Sequence, residues 1–234
     1  MIAALFVMPD GVYSGLPDVD PWDVARDARL YAGPHAVVAH PPCERWGKYW
    51  HGGPNSLKYP CQRRHRGDDA GCFAAALWAV RTFGGVLEHP QASSAWRWFG
   101  LLEPAHSGGW TTADLFGGWT CCVEQGHYGH RARKATWLYT CGVRSLPSLK
   151  WGPSAARVRL DDGFHSAAER EMFRRPPAGM TQEQRDARRR WMERRSEATG
   201  KEWCAPERMG TVERLSTPPH FRDLLLEIAR SVRE

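Results

Sequence analysis

Cys43 is the residue through which this chain could do covalent chemistry. It follows His40-Pro41-Pro42, which ends an apolar run of strand length, Ala36-Val37-Val38-Ala39. Proline cannot donate to a β-ladder and biases its predecessor away from helix, so the thiol is expected in a turn just past a strand end. In open α/β sheets that rim is where ligands and reacting groups collect. Arg45 and Lys48 follow closely, and cations beside a thiol lower its pKa and favour thiolate, the nucleophilic form. Gly85-Val86-Leu87 reads as another strand, closing at Glu88-His89-Pro90. It brings a carboxylate to the same rim as the thiol, a pairing suited to nucleophilic and acid–base work. The run Arg131-Ala132-Arg133-Lys134 then supplies cations just before a further strand. The same residues also fit a half-buried cysteine, a satisfied strand-end carboxylate and a solvated basic loop.

The elements that must position these groups follow from apolar patterning and turn residues. Ile2–Met8 is strand-like and runs into the turn Pro9-Asp10-Gly11. Residues 12–31 are acidic and broken by Pro17 and Pro21, leaving room only for a short helical turn within Asp23–Arg29. Residues 44–67, rich in Gly, Lys, Arg and aromatics, are expected to form a long surface loop. Asp68-Asp69 caps a helix running to about Phe83, with Phe73, Leu77 and Val80 on one face. The strand–loop–helix–strand order predicts a βαβ unit with a right-handed crossover and parallel strands. Further strands are expected at Thr120–Glu124 and Ala135–Thr140. A Pro/Ser linker around Leu146–Ser154 precedes a charged helix from Thr181 to about Thr199, carrying Arg185, Arg188, Arg189, Arg190, Arg194 and Arg195. That helix reads as a solvated face or as an arm for phosphates. Ser216–Val232 forms an amphipathic helix with Phe221, Leu224, Leu225, Ile228 and Val232 toward the core. The predicted organisation is an α/β domain over 1–145, a small basic helical appendage over 146–210, and a helix in 211–234 returning to the first domain.

With 234 residues, 42% hydrophobic and 25% charged, the chain has the composition of a soluble globular protein. Its net charge of +6 biases it toward a polyanionic partner. No apolar run approaches the roughly 20 residues of a membrane span, and the first residues lack the layout of a signal peptide. A cytoplasmic location is therefore expected, with the 7 cysteines as reduced thiols. Cys61, His65 and Cys72, with Cys121, Cys122 and His127 as further donors, do not match zinc-site spacings, so no metal is expected. A P-loop, a G-x-S-x-G elbow and an H-E-x-x-H helix are all missing from the sequence.

Taken together, His40-Pro41-Pro42-Cys43, Leu87-Glu88-His89-Pro90 and the Gly129–Thr136 segment resemble the cytosine-C5 DNA methyltransferase family. The first matches the family's nucleophile motif and the second stands where the family has Glu-Asn-Val. In the third, Lys134 and Thr136 fall at the two arginine positions of a Gln-x-Arg-x-Arg segment, and Thr217-Pro218-Pro219 with its helix is similar to the last family motif. The likeness covers about half of the chain. It implies a mainly parallel sheet of reduced, Rossmann-like methyltransferase type, and a thiolate of Cys43 adding to C6 of cytosine. Glu88 would then hold N3 and the exocyclic amine, with Lys134 and Arg133 also in the catalytic set. Pro41, Pro42, Arg45, Trp46, His89, Arg131 and Thr136 would line the base, and Trp46, Tyr49 and Trp50 would fill or cover the gap left by base flipping. The family's Phe-x-Gly-x-Gly donor loop has no counterpart after the first strand, and the region between Cys141 and Cys204 is small for target recognition. The resemblance is thus to a reduced, phage-type relative. S-adenosylmethionine, or another one-carbon donor, would be held through Phe6, Asp10 and Asp27. DNA is the expected partner. A free pyrimidine nucleotide as substrate, or a non-catalytic nucleic-acid-binding protein on the same fold, remain the alternatives.

Overall fold

The computed structural model describes residues 1–52, 61, 63–156, 158–159, 179–199, 209 and 211–233. Cys204 and most of 157–178 lie outside the described residues. Two compact units emerge, Met1–Ala156 with Thr217–Glu234, and Arg157–Ser216. In chain order the elements are β1 (Ile2–Leu5), β2 (Val19–Trp22), β3 (Ala36–Ala39), α1 (Cys72–Phe83), β4 (Gly85–Pro90), α2 (Ser94–Trp98), β5 (Trp119–Glu124), β6 (Ala135–Cys141), α3 (Gln182–Thr199), α4 (Thr211–Leu215) and α5 (Pro219–Arg230).

The first unit is an α/β structure built on a mixed six-stranded sheet of order β2-β1-β3-β4-β6-β5. β1 pairs in parallel with β2 and β3, and β3 in parallel with β4. β6 runs antiparallel to both β4 and β5. The expectation of a βαβ unit with parallel strands is met in β3–α1–β4, and the strands expected at Ile2–Met8, Thr120–Glu124 and Ala135–Thr140 are present as β1, β5 and β6. Two features depart from expectation. β2 forms through Pro21, which an edge strand tolerates because its N–H side need not join a ladder. Glu88, His89 and Pro90 stay within β4, because β6 pairs with them as Leu138, Trp137 and Thr136.

Alternation along the strands sorts side chains to two faces. Ala3, Leu5, Val37, Ala39 and Leu87 meet Phe73, Ala76, Leu77 and Val80 of α1. Ile2, Ala4, Val38 and Val86 meet Phe221, Leu225, Leu226 and Ile228 of α5. Each of these large α5 side chains contributes on the order of 2 kcal/mol by burial. The N-cap of α1 is Gly71 and not Asp68-Asp69, and the helix begins at Cys72, but the Asp69 carboxylate still accepts from the Gly71 and Phe73 amides at 3.0 and 2.8 Å and so meets a first-turn donor. Gly85 opens β4 at φ 129, where an added Cβ would lie 1.9 Å from the Val37 carbonyl, so only glycine fits. α5 starts with Pro219 at its first turn, where a missing N–H costs nothing.

In the second unit, α3 opens with a reciprocal cap. The Gln184 amide donates to Thr181 Oγ1 and the Thr181 amide to Gln184 Oε1. Arg185, Arg189 and Arg190 are exposed on it. Among the described residues, no helix is long and apolar enough to cross a membrane.

Candidate active site

The turn after β3 is closed on itself and anchored from behind. The His40 amide donates to the Leu5 carbonyl at 3.0 Å, carrying the β1–β3 ladder one residue beyond the strand. The Trp46 and Gly47 amides both donate to the Cys43 carbonyl, at 3.1 and 2.9 Å. Trp46 is 2% exposed, among Phe73, Trp98 and Phe99, with its indole N–H donating to Asp69. Ser94 donates to the Trp46 carbonyl through both its amide and its hydroxyl. Trp46 is therefore an anchor for the Cys43 turn and not a cover over a flipped base, because a large apolar ring gains more from the core than from the rim. Pro41 is buried and Pro42 exposed.

Glu88 projects to the α5 face, as do Val86 two residues before it and Leu138, its partner on β6. Its Oε2 lies 3.0 Å from His40 Nδ1, and its Oε1 accepts from Gln125 Nε2 at 3.2 Å. Gln125 Nε2 also donates to Thr136 Oγ1 at 3.0 Å, and that hydroxyl donates to the Lys134 carbonyl. On the far side of His40, Nε2 lies 2.8 Å from the Tyr13 hydroxyl. A polar chain thus runs from Tyr13 through His40, Glu88 and Gln125 to Thr136. An ionised carboxylate has about four acceptor positions, so these contacts leave some of Glu88's unused.

Electrostatics tie the carboxylate to the thiol and to one lysine. Burial pushes the Glu88 carboxyl up, but the hydrogen bond from His40, the charge of Lys134 and, when they are protonated, the charges of His40 and His89 outweigh it and hold the group below its usual range. Burial and then the Glu88 charge push the Cys43 thiol up, with Lys134 pulling the other way. Burial lowers Lys134, while Glu88 and Cys43 oppose the shift. Cys43, Glu88 and Lys134 are therefore close enough to perturb one another. The expected lowering of the thiol pKa is corrected: in a half-buried turn facing a carboxylate, desolvation and like charge favour the thiol.

His89 departs from the base-lining role. Neighbouring residues on a strand face opposite ways, and His89 faces α1, fully buried between Phe73 and Trp96. Neither ring nitrogen makes a well-formed hydrogen bond, although the Pro42 carbonyl acts on the ring. Burial lowers its pKa to about 4. Arg131 and Arg133 are exposed, so of the basic run it is Lys134 that acts on Glu88 and Cys43. Thr136 is buried and reaches Glu88 only through Gln125. Arg45 is half-buried, and its carbonyl accepts from the Gly67 amide. Tyr13 and Gln125 carried no sequence signal, since neither belongs to a motif.

A cavity of about 440 Å³ opens beside the same turn, lined by Phe6, Asp23, Asp27, Pro42 and Cys72 among others. It includes two of the three expected donor contacts, Phe6 and Asp27. Asp10 is exposed and does not line it. Phe6, Asp27 and Ala70 in its wall all have left-handed backbones, at φ 59, 44 and 56. Strain of this kind in non-glycine residues gathers where structure serves a ligand. Asp27 is held by Arg29 through both carboxylate oxygens, and the guanidinium hydrogen bond keeps its pKa low. Among the described residues, no three His, Cys, Asp or Glu gather as a metal site.

No family model matches the chain, and a search of curated proteins finds no match.

Proposed function

We propose that this protein modifies cytosine at C5 in DNA through a covalent bond between Cys43 Sγ and C6. The observation that carries this reading is that the turn bearing Cys43 is bonded to Glu88 through His40 at 3.0 Å, with Lys134 acting on both the thiol and the carboxylate. Cytosine is a weak nucleophile at C5, and a thiolate at C6 converts C5 into an enamine-like carbon. Glu88 takes the Cys43 proton and passes it to ring N3 as sulfur adds, and its free acceptor positions meet the exocyclic amine. The Lys134 ammonium offsets the negative charge that grows on the ring. C5 would then take the one-carbon group as that group's bond to the donor breaks and the donor's leaving group departs with the electron pair. A base removes the C5 proton, N3 gives its proton back to Glu88, and the sulfur–C6 bond breaks, so that Cys43 leaves as thiolate and regains that proton.

The residues of the cavity fit a donor of the S-adenosylmethionine class. Phe6 and the neighbouring aliphatic groups suit an adenine ring, and Asp23 suits a hydroxylated, cationic molecule. Asp27 has its charge met by Arg29, which also lines the cavity, and keeps only its spare acceptor positions for a hydroxyl. Bound there, the donor would supply an electrophilic methyl group. Pro42 lines the cavity and Cys43 follows it, so donor and base would meet across one turn.

A polymer is favoured over a free nucleotide by the loop after Cys43, where the Arg66 guanidinium sits 4.8 Å over Trp50 and Lys48 lies beside the exposed Tyr49. Cations interleaved with aromatic rings track a phosphate backbone and stack on bases. A second reading, a nucleic-acid-binding protein without catalysis, draws on the raised pKa of the thiol.

A DNA duplex with 2-pyrimidinone in place of one cytosine separates the two, since that ring accepts a thiol at C6 without any donor. A denaturation-resistant complex that vanishes in Cys43→Ser supports the enzyme. Salt-sensitive binding with no such complex supports the binding protein. A duplex with 5-fluorocytosine, with and without S-adenosylmethionine, tests the donor.

A further inference from the structure

We infer that Tyr13 and His40 form a positioning pair that fixes the ionised form and the orientation of Glu88. The inference rests on the reading of Glu88 as the group that handles the base. His40 belongs to the same turn as Cys43 and stands between two buried partners, 2.8 Å from the Tyr13 hydroxyl through Nε2 and 3.0 Å from Glu88 Oε2 through Nδ1. A neutral imidazole carries one proton and must donate at one nitrogen and accept at the other.

The Glu88 carboxylate, ionised and so only an acceptor, decides which, and Tyr13 completes the pair. Its ring is 3% exposed. Burial, and after it the Glu88 charge, push its hydroxyl well above the usual tyrosine range, so it remains a phenol. Facing an acceptor-only carboxylate, Nδ1 carries the imidazole proton, which leaves Nε2 to accept from the phenol O–H. Nδ1–H donates to Glu88 Oε2. Gln125 meets the other oxygen, so rotation of the carboxylate would break two contacts at once. The remaining acceptor positions are thereby aimed by groups that need not touch substrate.

The pair is also tied to the fold. The Arg222 guanidinium of α5 donates to the Val12 carbonyl at 2.9 Å, next to Tyr13, and pairs with Asp223. The charged and titratable groups acting on this chain are thus Glu88, Lys134, His89 and Cys43 from the sheet and its turns, and Arg222 and Asp223 from α5.

The test reads the proton directly and the chemistry separately. In the full-length protein, ¹⁵N NMR of neutral His40 is expected to show the Nδ1–H tautomer, and Glu88→Gln, whose amide can donate as well as accept, to give a mixture of tautomers. An Nε2–H tautomer in the unsubstituted protein overturns the inference, whether or not the protein attacks cytosine. Adduct formation with 2-pyrimidinone DNA is then followed against pH. His40→Leu is expected to slow it by about 10- to 100-fold, the span of a lost charge-assisted hydrogen bond. Its acid limb should move up by about one pH unit, because a carboxylate without its donor protonates more easily. His40→Asn, whose amide N–H can stand where Nδ1–H stood, should return the limb toward that of the unsubstituted protein. Equal slowing in both His40 variants with an unmoved limb means a purely structural role and overturns the inference. If the unsubstituted protein forms no adduct while the Nδ1–H tautomer is present, the cytosine reading fails and the Tyr13–His40 pair stands.

Discussion

Glu88 and His89 are consecutive residues of one strand with opposite surroundings. Glu88 faces α5 and is held ionised by His40, Gln125 and the nearby Lys134. His89 faces α1, sealed between aromatic rings and held neutral by burial. A strand's two-residue period converts adjacency in sequence into separation by a whole sheet. One face of this rim is therefore polar, and the other is core.

Cys43→Ser gives the largest expected effect, since the hydroxyl is a far poorer nucleophile. The denaturation-resistant adduct should fall below detection while DNA binding holds, as a gel-shift titration would show. Glu88→Gln comes next. It keeps the shape and removes the charge, so adduct formation should slow by about 100-fold or more with little change in the urea midpoint. An adduct rate within threefold of the unsubstituted protein would place the chemistry elsewhere.

His89→Phe probes the other side of the contrast. A histidine kept neutral in the fold, with a pKa of about 4 against 6.5 in the unfolded chain, leaves the unfolded state binding more protons between those values. Stability therefore falls as pH drops through that window, by roughly 3 kcal/mol at the limit. The phenyl ring should remove that part of the slope in denaturant titrations and leave the adduct rate unchanged. If the adduct rate falls with it, the two faces are not independent. The smallest effect is expected from Asp27→Asn in the cavity wall, where a few-fold weaker uptake of S-adenosylmethionine would appear in calorimetry with adduct formation intact.

Much of the scaffold could be read from apolar runs and turn residues. Ala36–Ala39 before two prolines, and Gly85–Leu87 after a glycine stop, each announce a strand. β2 escaped because Pro21 argues against a strand unless its edge position is known, and edge position is a property of the whole sheet. Cys43 and Lys134 stand out in the sequence because turn residues set them beside strands, and Glu88 because His89-Pro90 reads as a strand end, although pairing with β6 carries β4 past it. Tyr13 and Gln125 do not, because their partners lie at separations of 27 and 37 residues with no period linking them. His89 and Trp46 were misplaced for a related reason, since residue type suggests chemistry while burial is decided by which way a backbone faces.

The tie between Arg222 and the loop carrying Tyr13 has a consequence for how the molecule is made. Every strand of the sheet has left the ribosome by Cys141, but α5 begins only at Pro219. Until that helix arrives, a nascent chain displays an uncovered apolar sheet face and an unbraced Tyr13 loop, surfaces on which chaperones act. Completion of this rim is thereby deferred until well after the sheet itself has been made.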